Sequence, residues 1–233
     1  MTARTNLLLL PGLLCDPRLW AAQAEGLSDI ADVTIADMTK DNSIAGMVRR
    51  ALNEAPDRFA LAGLSMGGYA ALEAMRQAPG RVERLALLDT GARADTPEQT
   101  TRRKDLISLA NRGEFKAVSP RLLPLFIHED RLSDTALVAE IAAMADAVGK
   151  EAFLRQQQAI MGRPDSRPGL GAIECPTVVV CGREDRLTPL ELSEEIVSLI
   201  PHATLEIVEN CGHLSTMERP DEVNAILRAW LAA

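Results

Sequence analysis

Six apolar runs of strand length punctuate the chain: Asn6 to Leu10, Asp32 to Ala36, Arg58 to Leu64, Arg84 to Leu88, Thr177 to Cys181 and Thr204 to Val208. They are nearly continuous in hydrophobicity, the pattern of parallel strands covered on both faces. Ser43 to Glu54, Met66 to Ala78, Pro189 to Leu199 and Pro220 to Leu231 instead repeat their apolar residues at helical spacing. Thr188-Pro189-Leu190-Glu191 reads as a capping box with proline at the first helical position. Strand and helix in alternation predict an α/β fold, a doubly wound and mostly parallel sheet of about six strands.

The alternation breaks between about Thr96 and Gly171. Helical patterns run over Thr101 to Asn111, Asp134 to Val148 and Glu151 to Met161, with no convincing strand among them. A helical insertion that leaves one strand and returns to the next lies over the carboxyl edge of the sheet, as a cap does. The expected organisation is a core of residues 1–95 and 171–233 with a helical cap over 96–170. Arg163-Pro164-Asp165-Ser166-Arg167-Pro168-Gly169 reads as the return linker.

Composition narrows the function. The 233 residues are 47% hydrophobic and 25% charged, as in an ordinary globular domain, and the net charge is −8 with scattered basic residues. That balance argues against nucleic acid or an anionic membrane as the partner. Thr2-Ala3-Arg4 before Leu7 to Leu10 resembles a leader peptide, but Pro11-Gly12 cuts the apolar run short, and the expected location is the cytoplasm. Cys15, Cys175, Cys181 and Cys211 have neither C-x-x-C nor metal-ligand spacing, so they read as thiols; Cys15 and Cys211 fall beside the motifs below.

Gly63-Leu64-Ser65-Met66-Gly67 matches G-x-S-x-G between a predicted strand and a predicted helix. Glycines allow so sharp a turn, where flanking side chains would meet backbone, and the turn lifts the Ser65 hydroxyl to a helix N-terminus. A serine hydroxyl needs a general base. Of the three histidines, His213 follows the last strand and reaches the same sheet edge as Ser65; His202 precedes that strand and belongs to the opposite edge; His128 lies in the insertion. Asp185, after the strand Thr177 to Cys181, is the acceptor expected to orient His213, with Glu184 and Asp89 as alternatives.

The order Ser65, Asp185, His213, together with Gly-Leu-Ser-Met-Gly-Gly at 63–68, Gly-Arg-Glu-Asp-Arg-Leu-Thr-Pro at 182–189 and Gly-His-Leu-Ser-Thr-Met-Glu-Arg-Pro at 212–220, resembles the α/β-hydrolase superfamily. The likeness is to its compact capped branch of 3-oxoadipate enol-lactonases and small carboxylesterases. It implies an oxyanion hole from two backbone N–H groups, that of Met66 and that of Leu13 in Pro11-Gly12-Leu13, where the family has His-Gly-x followed by a tryptophan, here Trp20. It also implies a core of about six strands, because the usual N-terminal hairpin has no counterpart before Asn6. Serine at the elbow separates the chain from dehalogenases and epoxide hydrolases, which use aspartate there.

The expected function is a serine hydrolase that cleaves a carboxylic ester or lactone of a small molecule through an acyl-enzyme, without cofactor or metal. Alternatives are C–C bond hydrolysis, a lyase or perhydrolase reaction of the same triad, or ligand binding without catalysis. Substrate contacts are expected from Trp20, Arg121, Phe126 and His128, with Arg131, Arg155 and Arg163 as further carboxylate-holding candidates. The sequence leaves the oligomeric state open.

Overall fold

The computed structural model describes residues 4–233; the first three residues of the expected core span, and with them the start of the leader-like stretch at Thr2, lie outside the described residues. In chain order β1 (Thr5–Leu10), α1 (Ala21–Gly26), β2 (Ala31–Ile35), α2 (Ile44–Glu54), β3 (Phe59–Leu64), α3 (Met66–Gln77) and β4 (Val82–Leu88) come first. The chain then leaves the sheet for α4 (Pro97–Leu109), α5 (Val118–Phe126) and α6 (Thr135–Met161). It returns through β5 (Thr177–Gly182), α7 (Leu190–Leu199), β6 (Thr204–Val208), α8 (Ser215–Glu218) and α9 (Pro220–Ala232).

The six strands form one parallel sheet in the order β2-β1-β3-β4-β5-β6. Every residue of β3 and β5 is buried, because helices cover both faces there. The edge strands β2 and β6 alternate between buried and more exposed positions, so their sequences are only half apolar in effect. The sheet thus matches the expected six-stranded, doubly wound architecture.

The direction of winding reverses between β1 and β3, which pair in register from Leu7 with Ala60 to Leu10 with Gly63. In a doubly wound sheet that reversal opens a crevice beyond the carboxyl ends of the two strands. The loop after β1 and the turn after β3 therefore emerge side by side. Two glycines permit the approach: a Cβ on Gly67 would overlap the Leu10 carbonyl oxygen, and one on Gly63 would overlap the Gly67 carbonyl.

Backbone strain gathers at this same edge. Among the described residues, five besides glycine have positive φ, and four of them, Leu14, Ser65, Asp89 and Asn210, follow the ends of β1, β3, β4 and β6. The fifth, His202, is exposed at the opposite edge.

The start of α4 differs from the sequence expectation, and the division of α6 agrees with it. α4 begins at Pro97, not Thr101, because Thr96 and Gln99 form a reciprocal capping box ahead of it. α6 contains Gly149 at φ 75°, which divides it at the place where two helical patterns were expected. Among the described residues no helix is long and apolar enough to cross a membrane.

Gly67→Ala should lower the stability of the protein by about 2 kcal/mol or more, since the added methyl meets backbone that no side-chain rotation can relieve. Urea unfolding of the variant would check this, and an unchanged midpoint would contradict the packing described.

Candidate active site

Ser65 sits at the N-cap of α3 with φ 58° and ψ −114°, yet its side chain makes no capping bond. A serine in that position usually turns its hydroxyl back to the helix. Here the left-handed backbone directs Oγ away, to His213 Nε2 at 2.8 Å. His213 follows β6 and is almost fully buried; its Nδ1 lies 2.8 Å from Asp185 Oδ2. Asp185 follows β5, so three loops at one sheet edge meet in one hydrogen-bonded chain.

Asp185 is closely held. Oδ1 accepts from the backbone N–H groups of Leu187 (2.8 Å) and Thr188 (2.9 Å), and Oδ2 accepts from Thr188 Oγ1 at 2.6 Å as well as facing His213. This corrects the capping-box expectation at Thr188. The hydroxyl is committed to the carboxylate, and α7 starts after Pro189 with no side-chain cap. Because Asp185 is an acceptor, His213 Nδ1 carries the proton and Nε2 is left free to accept from Ser65.

Burial by itself would disfavour the imidazolium of His213, but the charge of Asp185 and its hydrogen bond, then the charges of Asp89 and Glu218, outweigh it and raise the pKa above the usual 6.5. Asp89, which ends β4, is wholly buried; burial and then the neighbouring charge of Asp185 push its carboxyl up to about 8. It accepts from Gly182 N–H at 2.8 Å and from the Ser215 hydroxyl. Glu184, the other alternative acid, accepts from Cys211 N–H instead of facing the imidazole. Asp89, Cys181 and Asp185 bring ligand-type atoms within 4.8 Å of one another, but both carboxylates already serve as acceptors for protein donors.

Leu13 lies in the turn after β1, beside Ser65: a Cβ on Gly12 would stand 3.4 Å from Ser65 Cβ. Met66 is the first residue of α3, where a backbone N–H has no intrahelical partner. Neither Leu13 N–H nor Met66 N–H donates to protein among the described residues. The turn is fixed at the next residue, whose N–H donates to Gln156 Oε1 at 3.1 Å, while Gln156 Nε2 donates to the Met38 carbonyl.

A cavity of about 260 Å³ opens over Ser65. Leu13, Tyr69, Leu122, Leu125, Phe126 and Ile160 form much of its apolar wall. Of the four expected substrate contacts, Arg121 and Phe126 line it, and Phe126 also stacks on His213 with ring centroids 6.1 Å apart. Trp20 and His128 do not. Trp20 is fully buried in the core, and His128 lies outside the lining, its Nδ1 accepting from Asp130 N–H. Arg131 bonds Glu218 and Asp134, Arg155 the Thr39 carbonyl and Arg163 Asp95, so these three are occupied within the protein. Cys15 and Cys211 are buried away from this lining, and burial pushes the Cys15 thiol up to about 12.

Sequence reasoning missed Glu218, as it missed Gln156 and Gln157. Glu218 accepts from Gly212 N–H at 2.9 Å and from His128 N–H at 2.7 Å, tying the His213 loop to the segment after α5; Leu214 N–H donates to the Phe126 carbonyl at 2.9 Å beside it. Its only signal was its place five residues after His213, and a near-buried glutamate cannot be told from a surface one by sequence alone.

A family model described as "Alpha/beta hydrolase family" matches residues 7–226. The 2-hydroxy-6-oxononadienedioate/2-hydroxy-6-oxononatrienedioate hydrolase of Klebsiella pneumoniae is 28% identical over 182 residues, which cover 76% of this chain and 63% of that protein. The chain thus matches less than two thirds of that relative's length. A thermophilic esterase from Thermogutta terrifontis, solved with malate bound, superposes with a TM-score of 0.89 at 27% identity, covering 98% of this chain and 89% of the esterase. The enol-lactonase of Burkholderia xenovorans LB400 gives a TM-score of 0.89 at 24% identity, over 99% of this chain and 92% of its own, a likeness of fold.

If Asp185 and its neighbours hold the imidazole as described, Asp185→Asn should move the His213 pKa down, since burial would then act with less opposition. An NMR titration of the imidazole in both proteins checks this, and an unchanged or higher value in the variant would contradict it.

Proposed function

The chain belongs to the alpha/beta hydrolase family, and on that footing we propose that it is a serine hydrolase acting on a small carboxylic ester or lactone, with Ser65 as nucleophile, His213 as general base and Asp185 as its orienting acid. The observation that carries the reading is the unbroken chain from Ser65 Oγ through both nitrogens of His213 to Asp185 Oδ2, with each contact at 2.8 Å and the serine on the wall of a cavity.

In this mechanism His213 Nε2 takes the hydroxyl proton as Ser65 Oγ attacks the substrate carbonyl carbon. The oxyanion that forms is stabilised by the N–H groups of Leu13 and Met66, and Asp185 stabilises the imidazolium. His213 then gives the proton to the departing alcohol oxygen, leaving an acyl group on Ser65. Water, deprotonated by the same nitrogen, attacks the acyl carbon, and His213 returns the proton to Ser65 Oγ as the acid is released. The helices from α4 to α6 act as a cap whose inner side lines the cavity around the acyl group. No step calls for a cofactor or a metal.

A second reading has a specific support. The Klebsiella relative is named for substrates that are ketones with no ester to cleave, so their hydrolysis breaks a carbon–carbon bond. The same nucleophile and base can serve that reaction, and a β-diketone assayed beside an ester and a lactone separates the two.

Ser65→Ala should reduce turnover of p-nitrophenyl acetate by about 10⁴-fold and abolish labelling by a fluorophosphonate, because the members of such a triad act as a unit. Retention of most of the activity would overturn the assignment. The base must be neutral to accept a proton and its pKa is raised, so kcat/KM should increase with pH through an apparent pKa above 6.5. A pH profile that is flat from pH 6 to 8 would exclude His213 as the base.

A further inference from the structure

One wall of the cavity over Ser65 is attached to the loop of His213. Leu122, Leu125 and Phe126 of α5 line the cavity, and the Phe126 ring stacks on the imidazole. Among the described residues, the hydrogen bonds that run to the core from α5 and the residues after it, up to Arg131, end on Leu214, Glu218 and Arg186. Two of these three belong to the segment that carries His213.

The attachment is made at the level of the backbone. The Phe126 carbonyl accepts from Leu214 N–H at 2.9 Å. Glu218, only 2% exposed, gives one carboxylate oxygen to each side: Oε1 accepts from Gly212 N–H at 2.9 Å and Oε2 from His128 N–H at 2.7 Å. The two chains also touch directly, since a Cβ on Gly212 would overlap the His128 nitrogen and the Ile127 carbonyl carbon. Residues 126–128 therefore lie against residues 212–214, whose middle member is His213. Any shift of the first group must carry the second with it or leave backbone N–H groups without acceptors, which folded proteins avoid.

We propose that Glu218 is a positioning residue that couples the α5 wall of the cavity to His213, so that an ester with an apolar acyl chain long enough to fill this wall seats the base for its own hydrolysis. This rests on the serine-hydrolase reading above. A chain in contact with Leu122, Leu125 and Phe126 restrains α5, α5 restrains 212–214, and the imidazole is held between Ser65 and Asp185. Contacts remote from the reacting carbonyl then raise kcat as well as lowering KM. A wall without that tie would lower KM alone.

The test compares p-nitrophenyl hexanoate with p-nitrophenyl acetate, which share a leaving group and differ in whether the acyl chain reaches the wall. The expected wild-type kcat is about tenfold higher for the hexanoate. Glu218→Gln keeps the length of the side chain but has one carbonyl oxygen, so its amide donor faces one of the two N–H groups. In this variant kcat should fall for both esters and further for the hexanoate, bringing the ratio to about one, while the lower KM of the hexanoate persists because the lining is intact. A wild-type kcat ratio near one, or a ratio that Glu218→Gln leaves unaltered, would overturn the proposal and leave the serine hydrolase standing. Amide hydrogen exchange on Ser65→Ala with hexanoate decides the matter if Glu218→Gln does not fold. Exchange should slow about tenfold or more at His128, Gly212 and Leu214 together with α5. Slowing confined to α5, or none at all, would overturn the coupling. This readout needs no turnover, so it judges the coupling even if neither ester is hydrolysed and the hydrolase reading fails.

Discussion

The close contact of α3 with the end of β1 is the constraint on which the site depends. Gly67 lies against the Leu10 carbonyl so tightly that no side chain fits between them, and β1 and β3 run parallel as neighbours up to that point. The first turn of α3 therefore cannot withdraw from the loop that follows β1. This fixes the distance between Ser65 and the Pro11-Gly12-Leu13 turn, and it makes the positive φ of Ser65 a consequence of packing. A looser turn would relax the backbone and let the hydroxyl cap its own helix, as serine ordinarily does at that place. The strain and the availability of Oγ have the same origin.

The electrostatics around His213 follow from where the strands end. Parallel strands deliver their carboxyl ends to one edge, and here Asp89, Asp185 and, from the start of α8 onward, Glu218 arrive around a single imidazole. Three buried acids with one base would be unstable if all were charged. The arrangement separates their roles by hydrogen bonding: Asp185 accepts from two backbone N–H groups and a hydroxyl in addition to His213, whereas Asp89 has fewer donors and its carboxyl is pushed up by burial and by the charge of Asp185. The number of donors offered by the loop at 185–188, more than proximity alone, distinguishes the acid that faces the histidine. That loop is also the reason that Thr188 cannot cap α7.

The strands, the elbow, and the edges from which Asp185 and His213 emerge were legible because each rests on a local rule: an apolar run, a glycine pair, a position just after a strand. Capping was legible in form but not in place. Thr96 to Gln99 and Thr188 to Glu191 satisfy the same pattern, and only the first forms the box, since the second threonine has a carboxylate partner three residues earlier in sequence. Glu218, Gln156 and Gln157 could not have been found, because their partners are between about 6 and 142 positions away and nothing in their own neighbourhoods marks them as buried. Trp20, aligned by resemblance with a site tryptophan, faces the core behind the turn. Spacing from a motif located the residue along the chain and said nothing about which way its side chain points.

The consecutive glutamines of α6 have one further implication for how the helical insertion is joined to the sheet. Gln156 accepts from Leu14 N–H and donates to the Met38 carbonyl, so it links the turn after β1 to the loop after β2 through buried bonds. Lifting this part of α6 would leave several buried polar groups without partners, each worth about 1–3 kcal/mol. The segment of α6 beyond Gly149 is in that sense part of the base on which the site stands. α4 and α5, by contrast, face the cavity largely through side chains of their own surface, such as Leu106, Leu122 and Leu125. The break in α6 at Gly149 lies between these two kinds of attachment. Any difference in rigidity across the insertion should follow the hydrogen bonds, with the half of α6 that carries Gln156 and Gln157 as the fixed side and α4 and α5 as the looser one.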